Sequence, residues 1–187
     1  MPAIRADLFA FLDSLGIATE TVDHAPVFTV EESRKERGEL PGGHTKNLFL
    51  KDKKGQLFLV TARENAKIDL KKLHEALGAS GRLSFGNSDL LMETLGVTPG
   101  SVTAFAVLND RAGRVKMALD AGLMMEETIH CHPLTNDATT ALSRDDLLRF
   151  LRATGHEPMI VALPEPALSS PAGAPILTAD QGGPDGP

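Results

Sequence analysis

Apolar residues recur at helical spacing over residues 3–15, where Leu8, Phe9, Phe11, Leu12 and Leu15 make one stripe and Gly16 supplies the stop. Ile17 to Val22 alternates as a short strand. Thr29-Val30-Glu31-Glu32 has capping-box spacing, which opens a second helix through Arg37, and residues 38–43, with Pro41 and three glycines, follow as a loop. The clearest pattern lies in residues 44–60, HTKNLFLKDKKGQLFLV. Two apolar runs, Leu48 to Leu50 and Leu57 to Val60, flank the turn signal Asp52-Lys53-Lys54-Gly55 and predict a buried β-hairpin with Lys46 and Asn47 at its entrance.

Further along, residues 69–77 read as a helix with Leu70, Leu73 and Leu77 inward and Gly78 closing it. A helix opening near Asn87 or Ser88 runs to Leu95, and GVTPG (96–100) turns the chain into an apolar run, Ser101 to Leu108. Asn109 to Gly113 turns it back into Val115 to Leu119, a second hairpin by pattern. Met124 to His130 reads as a strand. Ser143-Arg144-Asp145-Asp146 caps a helix carrying Leu147, Leu148, Phe150 and Leu151, and residues 158–163 supply a last strand. Helices and strands in mixed order predict an α+β fold: one domain with a mostly antiparallel curved sheet or barrel flanked by helices. That domain spans residues 1–163. From Pro164 to the end the chain holds six prolines and four glycines with few large apolar groups, so 164–187 is expected to be a disordered tail.

The 187 residues suit one domain with a sizeable core, and 42% hydrophobic content is ordinary for a globule. A single cysteine, Cys131, permits no internal disulfide and fits a reducing compartment. The N-terminal segment mixes charges too closely for a signal peptide or a membrane span, so a cytoplasmic location without membrane contact is expected. Net charge is −6, which argues against coating nucleic acid. Residues 44–72, however, hold eight basic against three acidic residues, a local excess of five positive charges. Such a face suits a few phosphates at one RNA end better than a wrapped duplex.

P-loop, GxSxG, HExxH and CxxC patterns are all missing from the sequence. Cys131 lies inside an expected strand, where a thiol is buried more often than nucleophilic. His130 and His132, with Asp137 nearby, form an HxH pair that would share a strand face, yet no third ligand stands at convincing spacing, and no metal or other cofactor is expected. Taken singly, Lys46 also reads as a surface lysine at a strand end, Pro99-Gly100 as a plain turn, and either histidine as a structural one.

Three segments in order change that balance: His24-Ala25-Pro26-Val27-Phe28-Thr29, the Lys46-Asn47 hairpin, and His130-Cys131-His132-Pro133-Leu134-Thr135-Asn136. Together they resemble the YbaK/prolyl-tRNA synthetase editing-domain family, and within it the free-standing ProX-like aminoacyl-tRNA deacylases, over residues 3–162. The resemblance implies a catalytic set of Lys46, Gly100, Ser101 and His132, with His132 lining the amino-acid pocket and bonding the substrate's α-amino group or a water. Lys46 would hold the phosphate or ribose of the 3′-terminal adenosine, and Gly100 and Ser101 belong to the family's GxxxP loop, in which Ala104 here replaces the proline. It further implies substrate contacts from His24, Pro26, Phe28, Thr29, Asn47, His130 and Asn136, with Thr139 and Thr140 shaping the same wall.

The implied reaction is trans-editing, in which water attacks the ester of a mischarged tRNA(Pro). The closest resemblance points to alanyl-tRNA(Pro) as substrate, a choice that size exclusion of the larger proline would explain, and cysteinyl-tRNA(Pro) is the alternative. The implied partners are the tRNA acceptor end and, transiently, prolyl-tRNA synthetase. A non-catalytic RNA-end binding module of the same fold and a small-molecule esterase are the other readings.

Overall fold

The first amphipathic stripe folds as α1 (Arg5–Ser14), which buries Leu8 and Leu12 and ends at Leu15 before Gly16 takes φ 66. The fold comes from a computed structural model, which describes residues 1–37 and 40–168. Strand β1 (Glu20–Asp23) follows, and the expected capping box opens α2 (Val30–Arg37). Glu32 N–H donates to Thr29 Oγ1 at 3.1 Å, while the Glu32 carboxylate accepts from the N–H groups of Phe28 and Thr29 at 2.7 and 3.2 Å.

The hairpin is present as β2 (Gly43–Lys51) and β3 (Leu57–Arg63), paired without a bulge from Thr45 opposite Arg63 to Lys51 opposite Leu57. Asp52 fixes its turn by accepting from the N–H groups of Lys54, Gln56 and Ser80, and these bonds hold its carboxyl below the usual range. Then come α3 (Leu73–Leu77), the short β4 (Ser84–Phe85) and α4 (Ser88–Leu95), whose Asn87 cap accepts from Leu90 N–H at 2.8 Å. The chain continues through β5 (Val115–Asp120), β6 (Thr128–Cys131), β7 (Ala138–Ser143), α5 (Arg144–Ala153) and β8 (Met159–Val161).

These strands form one mixed sheet in the order β1-β7-β6-β2-β3-β5-β8, with β4 added to β2. The edge of β2 away from β3 is divided. Parallel β6 pairs with it at Gly43 and His44, and antiparallel β4 at Leu50 and Lys51. Between those contacts, residues 45–48 have no ladder partner on that edge among the described residues, and the sheet parts there. Lys46 and Asn47 sit in this gap.

Helices α1, α4 and α5 pack on one face with the larger core, where Phe105 and Phe150 meet edge to face at 5.2 Å. Each ring is fully buried, a contribution of roughly 1.5–3 kcal/mol apiece. The opposite face carries a smaller cluster of Leu50, Phe58, Val60 and Ala118 with Leu73 and Leu77 of α3.

The second hairpin is not formed. Ala104–Asn109 winds into a 3₁₀ helix capped by Thr103, whose hydroxyl accepts from Phe105 N–H. Ala104, Phe105, Ala106 and Val107 are all buried, and a run apolar on every side does not discriminate a strand from a buried helix. Strand β5 therefore pairs in parallel with β3 and β8 instead. The helix expected from residue 69 starts at Leu73 and leaves Leu70 exposed. Leu123–Met125 forms a 3₁₀ turn, so β6 begins only at Thr128, and β7 arises where no element was expected. Pro164, placed in the expected tail, accepts from Asp69 N–H at 2.7 Å, and the tail from residue 169 lies outside the described residues. No described helix is long and apolar enough to cross a membrane.

Candidate functional site

The parted sheet edge opens on a cavity of about 140 Å³. It is lined by Thr45, Lys46 and Asn47 of β2, by Val27 to Val30, by Pro99, Gly100 and Val102, and by Glu64 and His132. Lys46 and Gly100, fifty-four positions of chain apart by their numbers (100 − 46), thus border the same hollow.

Strand alternation sends neighbours to opposite faces. Lys46 Nζ donates to the Ala66 carbonyl, on the side of the smaller core. Burial lowers its pKa from the ordinary lysine value, and the Asp120 carboxylate partly restores it. Asn47 points the other way. Its Nδ2 donates to Val102 O at 3.0 Å and its Oδ1 accepts from the buried Thr61 hydroxyl at 2.6 Å, so it ties the Gly100 loop to β2 and β3.

Asn136 joins two expected segments. Its Nδ2 donates to Val27 O at 2.9 Å, and its own carbonyl accepts from Val27 N–H at 3.0 Å. A Cβ placed on Gly100 would stand 3.1 Å from Phe28 Cδ1 and 3.4 Å from Asn136 Nδ2, so the bare glycine lets all three approach. Phe28 and Thr29 line the cavity, and Phe28 remains 73% exposed at its mouth. Pro26 is exposed and lies outside the lining.

Of the histidines, His132 borders the cavity and His130 and His24 do not. Strand β6 ends at Cys131, so the two histidines of the HxH pair do not continue one alternating face. His130 is buried, stacks on His44 with ring centres 4.2 Å apart, and bonds Pro41 O at 2.9 Å through Nε2, which anchors the loop entering β2. His132 Nδ1 bonds Ala138 O at 2.9 Å. Because a carbonyl only accepts, that ring carries its proton on Nδ1 when neutral and presents Nε2 as the acceptor. Leu134 behind it takes φ 67, a left-handed conformation costing a non-glycine residue about 1–3 kcal/mol, within the loop that supplies His132 and Asn136. His24 sits one layer back, bonded to Thr139 Oγ1 at 2.9 Å, with its ring centre 6.3 Å from that of His132. Thr140 pairs with Thr21 across β1 and β7, away from the lining.

Ser101 is buried and outside the lining, and its N–H is committed to Thr98 O at 2.9 Å. Cys131 is fully buried, its pKa pushed up to about 12 by desolvation despite a contact from the Thr45 hydroxyl. Among the described residues no three His, Cys, Asp or Glu side chains gather as a metal site.

One lining residue was not anticipated. Glu64, at the end of β3, is the single carboxylate bordering the cavity among the described residues, and it pairs with Arg34 of α2 at 2.9 Å. In sequence it is one acid in a basic stretch, and only its place opposite the β2 entrance, where its N–H donates to His44 O at 2.9 Å, sets it apart.

A model of the aminoacyl-tRNA editing domain matches residues 24–150. The mouse (Mus musculus) prolyl-tRNA synthetase associated domain-containing protein 1 is 42% identical over 162 residues, spanning 84% of this chain and 95% of its own. The prolyl-tRNA editing protein ProX of Acetoanaerobium sticklandii is 40% identical over 150 residues, spanning 80% and 91%. A crystal structure described as a candidate trans-editing enzyme for prolyl-tRNA synthetase shares the fold, with a TM-score of 0.65 and 19% identity over 87% of this chain and 99% of that one.

Proposed function

The chain belongs to the aminoacyl-tRNA editing domain family, and on that premise we propose that it is a trans-editing hydrolase that removes a mischarged amino acid, alanine foremost, from tRNA(Pro). The observation that carries this reading is the small cavity shared by Lys46, Asn47, Gly100 and His132. At about 140 Å³ it has room for roughly five water molecules, which suits a short acyl group and a hydrolytic water.

Lys46, anchored at the Ala66 carbonyl on the far side of β2, takes the phosphate or ribose of the terminal adenosine as a compact cation. The ester then lies along the Gly100 wall. With the Ser101 N–H already bonded to Thr98, the Gly100 backbone N–H is the donor assigned to the developing oxyanion. His132 Nε2 accepts a proton of the attacking water or orients it, and the proton passes to the departing ribose oxygen as the ester C–O bond breaks. Asn47 and Asn136 act through others: they hold the Gly100 loop and the 27–29 segment in place. His24 supports the same wall through Thr139, and His130 the entry to β2. On this reading proline is spared because a larger side chain is more easily excluded by clash than a smaller one.

The test is release of alanine from Ala-tRNA(Pro) by the wild type and by Lys46→Ala. Turnover lost in a folded variant supports the hydrolase. A wild type that binds the RNA end without releasing amino acid supports the binding module, and turnover of free amino-acid esters supports a small-molecule esterase. Preference for Cys-tRNA(Pro) over Ala-tRNA(Pro) would select the cysteine-clearing alternative. Co-sedimentation with prolyl-tRNA synthetase in the presence of tRNA(Pro) tests the transient partnership.

A further inference from the structure

Resting on that reading, we propose that Phe28 is the platform on which the terminal adenine of the tRNA stacks, so that ring contact holds the base at the mouth of the cavity while the ester lies inside. Phe28 lines the cavity and is the most exposed of the eight phenylalanines, at 73%, in a chain without tryptophan or tyrosine. An apolar ring left in water forgoes the free energy of burial, and a flat partner that covers it restores part of that. The substrate carries such a partner. Its terminal base is attached to C1′ of the same ribose whose hydroxyl bears the ester, so an ester that reaches the Gly100 loop leaves the base one sugar ring away, beside Phe28.

The ring is carried on a fixed backbone. Val27 before it is buried and held twice by Asn136, its N–H donating to Asn136 O at 3.0 Å and its carbonyl accepting from Asn136 Nδ2 at 2.9 Å. The N–H of Phe28 itself donates to the Glu32 carboxylate at 2.7 Å, in the capping box of α2. A Cβ built on Gly100 would stand 3.1 and 3.5 Å from Cδ1 and Cε1 of the ring, so one ring edge rests on the bare glycine and the rest is open to solvent. A backbone ordered before the ligand arrives lowers the entropy lost on binding. Phenylalanine has neither donor nor acceptor, so it meets a base through its π-face and does not read which purine is there. Lys46 borders the same cavity, and a cation for the nucleotide backbone beside an aromatic face for its base is the pairing that binds single-stranded ends.

The experiment measures binding of two hairpin RNAs that copy the tRNA(Pro) acceptor stem and end in a non-hydrolysable 3′-alanylamide, one with adenine on the terminal ribose and one with no base there, to the wild type, Phe28→Leu and Phe28→Tyr. The wild type is expected to favour the adenine-bearing end about tenfold, in the range for one base on an aromatic side chain. Phe28→Leu keeps apolar bulk without a ring face and should bring that ratio close to unity while leaving the baseless end bound nearly as before. Phe28→Tyr restores a ring and should keep the ratio, and guanine in place of adenine should bind the wild type almost as well. Both substitutions fall on an exposed side chain, so Tm should stay near that of the wild type. The proposal is overturned if Phe28→Leu retains the preference, if Phe28→Tyr loses it as Phe28→Leu does, if guanine binds no better than the missing base, which would point to hydrogen bonds at the base edge, or if neither RNA binds the wild type. Parallel deacylation assays separate the two levels: preference without turnover rejects the hydrolase and keeps the stacking platform, and turnover without preference does the reverse.

Discussion

Lys46 and Asn47 are adjacent in the chain and leave β2 by opposite faces, the ammonium to Ala66 O and the amide to Val102 O. The proposed function accordingly gives them different ends of one substrate, Lys46 the nucleotide and Asn47 the loop beside the acyl group.

Removing the cation should separate stability from activity. Burial holds the Lys46 pKa below its unfolded value, so the charged form disfavours folding at neutral pH, and that penalty fades as pH rises through the lowered pKa. Lys46→Met is thus expected to match or exceed the wild-type Tm in thermal melts while kcat/KM falls by roughly tenfold to hundredfold, the equivalent of one charged hydrogen bond. By the same sign, affinity of the wild type for an adenosine 3′-end analogue should decline at a less alkaline pH than a solvent-exposed lysine would give.

Asn47→Ala strips the Thr61 hydroxyl, which is fully buried, of its partner and frees Val102 O. A cost of about 1–3 kcal/mol in urea unfolding is expected. Because the Gly100 loop loosens, kcat should fall more than KM rises.

Gly100→Ala tests the close approach of loop and ring. The new methyl group meets Phe28 Cδ1 at 3.1 Å, and the exposed ring is able to swing outward, so Tm should shift by only a few degrees. Moving that wall relative to the ester should lower kcat/KM by roughly tenfold to hundredfold.

The single thiol offers a check on burial. With its pKa raised to about 12, Cys131 carries almost no thiolate at pH 8 and should resist an aryl disulfide reagent in the native state, reacting only as fast as the protein opens. Rapid native labelling would contradict its burial at the end of β6.

The hairpin, the Thr29 capping box and the Asn87 cap were legible because each rests on short-range chemistry: alternation, a turn with glycine, a side chain reaching an N–H two or three residues away. The run from Ala104 to Val107 was not, since its burial on all sides comes from α1, α4 and α5 rather than from its own period. The same limit governs the site. Lys46, Gly100, His132 and Phe28 stand out by residue type within recognisable motifs, and the fold brings them to one cavity. Ser101, Pro26 and His130 belong to those motifs yet fall outside the lining, because a tight 3₁₀ turn, an exposed bend and the end of β6 decide where they lie. Glu64 was invisible for the converse reason: nothing local marks it, and only pairing between β2 and β3 brings it to the entrance.

The most direct measurement is the hydrolysis rate of tRNA(Pro) charged in turn with alanine, cysteine, serine and proline, at equal concentration with purified protein. Release of alanine well above the uncatalysed rate, with prolyl-tRNA(Pro) left intact, is the predicted result. Equal loss of alanine and proline, or no acceleration for any of the four, would contradict it.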